Sequence, residues 1–242
     1  MAPPTIVFIG GFWEGPGVWD GVRATLFNEY GYNSTTIARL STGIKSPTNP
    51  TQSDDIKVIR TALEILADRG NTIVLVVHSA GGFVGTGAVP GLTLTERKAA
   101  NLPGGVGYIV SITSTLVRED KLENFPPFFD PREDRLHIKN PKDTLFSDMS
   151  AEAAQPYIDT LLYEPEFYSW DRPPTYKPDL FEKVPALALL CTNDATTPLS
   201  FQKMWAEAAK AETRECDAGH MVQLTQPQAV VSIIREAAER LK

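Results

Sequence analysis

A serine hydroxyl becomes a useful nucleophile only when a neighbouring base takes its proton and a third group orients that base. Val77-His-Ser-Ala-Gly-Gly82 has the make-up of a turn that presents such a hydroxyl. Ser79 follows Thr72-Ile-Val-Leu-Val-Val77, the most strand-like run in the chain, and precedes small residues that let a strand pass sharply into a helix. The usual pattern for such a turn is Gly-x-Ser-x-Gly, and Val77 stands at its first glycine. A β-branched residue there requires a slightly relaxed turn or unusually small neighbours.

The chain has three histidines, so the search for a base is short. His78 adjoins the serine, and neighbouring side chains on such a turn diverge, so packing beside the turn or lining the pocket wall is its expected role. His137 lies between Leu136 and Ile138 and reads as a partly exposed side chain. His220, in Asp217-Ala-Gly-His-Met221, follows the last strand-like segment and precedes the final helix. That is where parallel α/β sheets place their working groups. Asp194, in Cys191-Thr-Asn-Asp-Ala-Thr-Thr-Pro198, follows the preceding strand and falls between serine and histidine in chain order. Read alone, it is a turn or helix-capping aspartate. Together Ser79, Asp194 and His220 make a nucleophile, an orienting acid and a general base. Acyl transfer also needs donors for the developing oxyanion. The backbone N–H of Ala80 is one, and the Gly10-Gly-Phe-Trp13 loop supplies the other, assigned to Phe12 N–H.

These residues need a sheet whose strand ends converge. Thr5–Ile9, Ser34–Ala38, Thr72–Val77, Val106–Ile112, Pro185–Leu190 and Thr213–Cys216 read as strands, with helices over Val18–Tyr30, from Ser53 to about Gly70, Leu199–Ala211 and Pro227–Leu241. Alternation of the two indicates a parallel sheet covered on both faces. Residues 116–183 break the alternation with prolines and aromatics and read as an inserted cap, with short helices around Pro141–Phe146 and Ala151–Tyr163. The whole, 1–242, is then a single domain carrying that insertion.

Gly10-Gly-Phe-Trp, Val77-His-Ser-Ala-Gly-Gly, Asn193-Asp194 and Gly219-His-Met-Val-Gln-Leu-Thr-Gln-Pro227 resemble the α/β-hydrolase superfamily, closest to its branch of plant methyl-ester esterases and hydroxynitrile lyases. The resemblance spans roughly residues 5–115 and 184–242. It implies the α/β-hydrolase fold, a mostly parallel six-stranded sheet with helices on both faces and an inserted helical cap, and it implies neither a metal nor an organic cofactor. Lyases of this branch carry a lysine just after the catalytic histidine. Met221 stands there, as in the esterases.

The net charge of −7 argues against nucleic acid or an acidic membrane as partner. No apolar run approaches the roughly 20 residues of a membrane span, and, with no basic segment ahead of a long apolar one, a secretory signal is not expected. A cytoplasmic monomer or homodimer acting on a small molecule is the expectation. Cys191 and Cys216 read as buried thiols ending neighbouring strands, close enough to meet. Trp13, His78, Phe128, Phe129 and Met221 are candidates for the substrate pocket. With Phe125, Phe146, Tyr157, Phe167, Tyr168 and Trp170 of the cap, they suggest an apolar site for small hydrophobic or aromatic carboxylic esters. Two alternatives remain open: a lyase or cyclase using His220 as base without an acyl-enzyme, and a ligand-binding receptor with a vestigial triad.

Overall fold

The computed structural model describes residues 2–43, 50–116, 126–165 and 179–242. Among them the strands are β1 (Thr5–Ile9), β2 (Ser34–Thr36), β3 (Thr72–His78), β4 (Gly105–Ile112), β5 (Phe129–Arg132), β6 (Arg135–Ile138), β7 (Glu164–Pro165), β8 (Ala186–Cys191) and β9 (Glu212–Cys216). The helices are α1 (Asp20–Tyr30), α2 (Gln52–Asp68), α3 (Gly81–Ala88), α4 (Leu94–Ala99), α5 (Pro141–Thr144), α6 (Ala151–Ile158), α7 (Leu180–Lys183), α8 (Leu199–Ala208), α9 (Val222–Thr225) and α10 (Pro227–Glu239).

Six strands form one wholly parallel sheet in the order β2-β1-β3-β4-β8-β9. Successive side chains of a strand point to opposite faces, and β3 fills both. Ile73, Leu75 and Val77 join the apolar cluster with α2 and α3, while Val74 and Val76 join the one with α1 and α10. This is why Thr72–Val77 reads as unbroken apolar sequence. From β1 the chain runs outward to β2, and from β3 it runs the other way to β4. The loops that leave β1 and β3 therefore diverge, and parallel sheets bind ligands in the crevice this creates.

The ends of the helices refine the sequence expectation. Gly31 caps α1 in the left-handed region at φ +70°. A short 3₁₀ turn, Pro16–Trp19, takes the start expected for α1. The N-cap of α2 is Thr51 rather than Ser53, because Thr51 and Asp54 bond each other's backbone in a capping box.

The inserted segment differs more. Its described part holds the short helices α5 and α6, close to where they were expected, but also an antiparallel three-stranded sheet, β5-β6-β7. The β5–β6 hairpin turns through Glu133 and Asp134, both at positive φ (+54° and +60°). Such a turn normally advertises itself by Asn-Gly or Asp-Gly. Phe125, Phe167, Tyr168 and Trp170 lie outside the described residues.

The structure also accounts for Val77. A Cβ placed on Gly85 of α3 would come within 2.7 Å of Val77 Cγ1. The space that a glycine in the strand would have left is made instead by a glycine in the facing helix. Gly85→Ala is expected to destabilise the protein by about 1–3 kcal/mol through overpacking. Val77→Ala combined with it should recover much of that loss, as urea unfolding midpoints of the single and double variants will show.

Candidate active site

Ser79 follows directly on β3 with a left-handed backbone, φ +49°. A non-glycine residue pays for this conformation, so its surroundings must hold it there. Its N–H donates to Ile112 O at 3.2 Å, and its carbonyl accepts from Ser114 Oγ at 2.7 Å, Gly82 N at 3.1 Å and Thr115 N at 3.3 Å. The close approaches need glycine. A Cβ on Gly81 would lie 2.6 Å from Gly10 O, and one on Gly11 would lie 2.7 Å from Ser79 Cβ. Ala80 is the N-cap of α3, where backbone N–H groups have no acceptor within the helix. The helix dipole there favours negative charge.

His220 and Asp194 sit on loops that follow β9 and β8. His220 Nδ1 and Asp194 Oδ2 are 2.8 Å apart and buried. Asp194 Oδ1 accepts from Thr196 N and Thr197 N, each at 2.8 Å, so both carboxylate oxygens are engaged. The turn role read for Asp194 and its orienting role therefore coexist in one side chain. Gln202 of α8 fastens the same loop, donating to Cys191 O and Thr197 O and accepting from Cys191 N. The histidine loop is held from the inserted segment, where Asp148 Oδ2 accepts Gly219 N–H at 2.7 Å. No hydrogen bond joins Ser79 Oγ to His220, a link that often tightens only when substrate binds.

Residues 6–233 match the model of the Alpha/beta hydrolase family. The chain belongs to that family. A curated relative, Alpha/beta hydrolase nvfD of Aspergillus novofumigatus (strain IBT 16806), is 26% identical over 254 residues, covering 98% of both chains. Among solved structures, polyneuridine aldehyde esterase superposes with TM-score 0.74 at 17% identity, covering 97% of this chain and 99% of the other. A methylesterase from Arabidopsis gives 0.73 at 18%, covering 98% and 99%. These likenesses bear out the expected fold.

In this alpha/beta hydrolase the loop after β1 is fixed by partners far away in sequence. Trp13 has φ +64° and makes three bonds to the inserted segment: N to Glu164 Oε1, Nε1 to Leu136 O, and its carbonyl to Leu162 N, all 2.9 Å. Glu164 is fully buried and pairs with Arg39, whose guanidinium lies 4.6 Å over the Phe12 ring. Asp55 completes this buried cluster, 3.7 Å from Arg39 Nε and accepting from the Ser41 N–H and hydroxyl.

Of the candidate pocket residues, Trp13, Phe128 and Phe129 come together with Phe12. Their rings meet edge to face at centroid separations of 5.3 to 6.4 Å. Met221 is buried in the same apolar cluster. His78 is different: Nδ1 lies 2.6 Å from Glu14 Oε1 and Nε2 lies 2.9 Å from His220 O. Burial alone would push the His78 pKa down, but the Glu14 carboxylate and the hydrogen bonds outweigh it and hold it above the ordinary value. Burial would likewise raise Glu14, and His78 together with Gly11 N–H holds it below the carboxylate norm. Glu14, His78 and His220 are the one group of three or more carboxylate, imidazole or thiol ligand atoms gathered within 4.8 Å among the described residues. Their polar atoms already face one another, the backbone and Asp194, which leaves little for a metal ion.

His137 is partly exposed on β6, as read. Cys191 and Cys216 are free thiols opposite one another in the β8–β9 register. Burial pushes both thiol pKa values up, so neither is a ready nucleophile. No helix among the described residues is long and apolar enough to cross a membrane.

Sequence reading missed Glu14, Arg39, Ser114, Asp148, Glu164 and Gln202. The one available signal was charged or amide side chains inside otherwise apolar or glycine-rich segments. Glu164→Ala removes one of the two buried carboxylates that face Arg39 and leaves Asp55 as the other; breaking a buried ion pair typically costs about 3–5 kcal/mol. We expect a correspondingly large fall in the urea midpoint, and a smaller one for Glu164→Gln, which keeps the shape and can still accept the Trp13 N–H.

Proposed function

We propose that the protein is a serine esterase cleaving small hydrophobic or aromatic carboxylic esters through an acyl-Ser79 intermediate. The observation that carries this reading is the buried His220–Asp194 pair on adjacent strand ends, together with a serine held in a strained left-handed turn after β3. In this mechanism Ser79 Oγ attacks the ester carbonyl while His220 Nε2 takes its proton. Asp194 holds Nδ1–H and stabilises the imidazolium without itself being protonated. The oxyanion is received by the N–H groups of Phe12 and Ala80. His220 then protonates the leaving alcohol, and water deprotonated by His220 hydrolyses the acyl-enzyme.

The aromatic group of Phe12, Trp13, Phe128 and Phe129 supports an apolar acyl or aryl substituent. Met221 after the histidine supports hydrolysis over lyase chemistry, since it brings no charge for a departing anion. The inserted segment, in this reading, is the cap that closes over the bound ester. The esterase names of two structural neighbours agree with it.

The test is reaction with a fluorophosphonate probe followed by a panel of acyl and aryl esters. Labelling is expected at Ser79 and should vanish in Ser79→Ala together with ester turnover. Asp194→Asn should keep the fold and lower kcat by roughly 10³- to 10⁴-fold. Turnover that survives Ser79→Ala, or a product that takes no oxygen from labelled water, would replace hydrolysis with the lyase or cyclase reading.

A further inference from the structure

Both ring nitrogens of His78 face acceptors, Glu14 Oε1 at one side and the carbonyl of His220 at the other. A neutral imidazole has one N–H to give, so satisfying both from the ring requires the imidazolium. The second oxygen of Glu14 accepts Gly11 N–H at 3.0 Å. An unbroken polar chain therefore runs from Gly11, through Glu14 and His78, to the backbone of His220. It links the loop expected to carry an oxyanion donor with the loop that carries the base. At its near end, Gly11 packs directly on Ser79.

We propose that Glu14 and His78 form a standing carboxylate–imidazolium pair that positions the Gly11–Phe12 loop and His220 about Ser79. The pair rests on the esterase reading for what it positions, but its own existence does not. Neither side chain is given contact with substrate, and both are positioning residues.

A proton resting on Glu14 instead would satisfy the same two contacts with neutral partners. Three features favour the ion pair. Glu14 Oε2 already accepts a backbone N–H, which stabilises the carboxylate. Asp194 adds a second buried negative charge near His78, while the remaining titratable neighbour is His220. Trp19 packs edge-to-face at 6.1 Å from the His78 ring, and its apolar body keeps water from competing for either N–H. The positive charge on His78 is not consumed in the reaction. The carbonyl of His220 therefore stays anchored while its ring gains and loses the Ser79 proton: Asp194 holds the imidazole, and His78, itself held by Glu14, holds the backbone.

The test is ¹⁵N NMR of protein labelled at histidine. With three histidines, and His137→Gln to assign the exposed one, the His78 signals are separable. The expected result is a His78 ring protonated on both nitrogens at neutral pH, where His137, held below the ordinary histidine value by burial and Arg132, is already neutral. Glu14→Gln replaces one acceptor oxygen with a donor. It should strip the second proton from His78 and slow fluorophosphonate labelling of Ser79 roughly 10- to 100-fold. On an ester it should lower kcat by a similar factor while KM changes less than about twofold.

A singly protonated His78 in the unmodified protein would overturn the proposal. So would a folded Glu14→Gln chain that labels at the unmodified rate. The spectrum of the unmodified protein needs no variant, so the proposal stays open to refutation even if Glu14→Gln fails to fold. A doubly protonated His78 in a protein that turns over no ester would sink the esterase reading and leave the pair standing.

Discussion

The left-handed backbone at Ser79 is the constraint around which the site is arranged. Holding a serine there costs on the order of 1–3 kcal/mol, and the conformation survives only because its surroundings allow no other. Gly81 lets α3 press against the carbonyls that end β1, and Gly11 leaves room over the serine. Ser114 and Thr115, beyond the neighbouring strand, bond its carbonyl. Gly85 belongs to the same accommodation, because it admits the valine that occupies the strand position before the turn. A strained residue needs a well-packed frame, and β3 lies inside the sheet, buried on both faces.

Asp194 and His220 illustrate a different way to fix a loop. Neither Asp194 nor His220 is strained, and both loops are placed by hydrogen bonds to side chains, Gln202 buried and Asp148 exposed. Gln202 ties the aspartate loop to its own strand, and Asp148 reaches across from the insertion to the histidine loop. Buried polar groups are costly when unpaired, so networks of this kind leave the loops few alternative arrangements. The Glu14–His78 pair and the Arg39–Glu164 pair follow the same logic at the first loop.

The inserted segment also fixes the loop after β1. Through Leu136, Leu162 and Glu164 it takes all of Trp13's backbone and indole hydrogen bonds, and Trp13 is the second strained residue of the site. The part of the chain least regular in sequence thus helps to set the part on which an oxyanion would depend.

Much of this was open to a reading of the residues. The run Thr72–Val77, the small residues after Ser79, and the order serine, aspartate, histidine are local features, and each of the three follows a strand. The helix start at Thr51 rather than Ser53 was decided by a reciprocal bond with Asp54, although both residue types can cap. The β5–β6 hairpin lacked a glycine to announce it. What no local pattern carried were the partners. Glu14 meets His78 from 64 residues away, Asp148 meets Gly219 from 71, and Glu164 meets Trp13 from 151. The sequence by itself determined that a serine would stand at the end of a central strand with an aspartate and a histidine on later strand ends, because periodicity and turn chemistry act over a few residues. Only the tertiary structure decided what holds Ser79 in place and how Val77 is tolerated. Those depend on which backbone and which charge another segment brings within hydrogen-bond or van der Waals range.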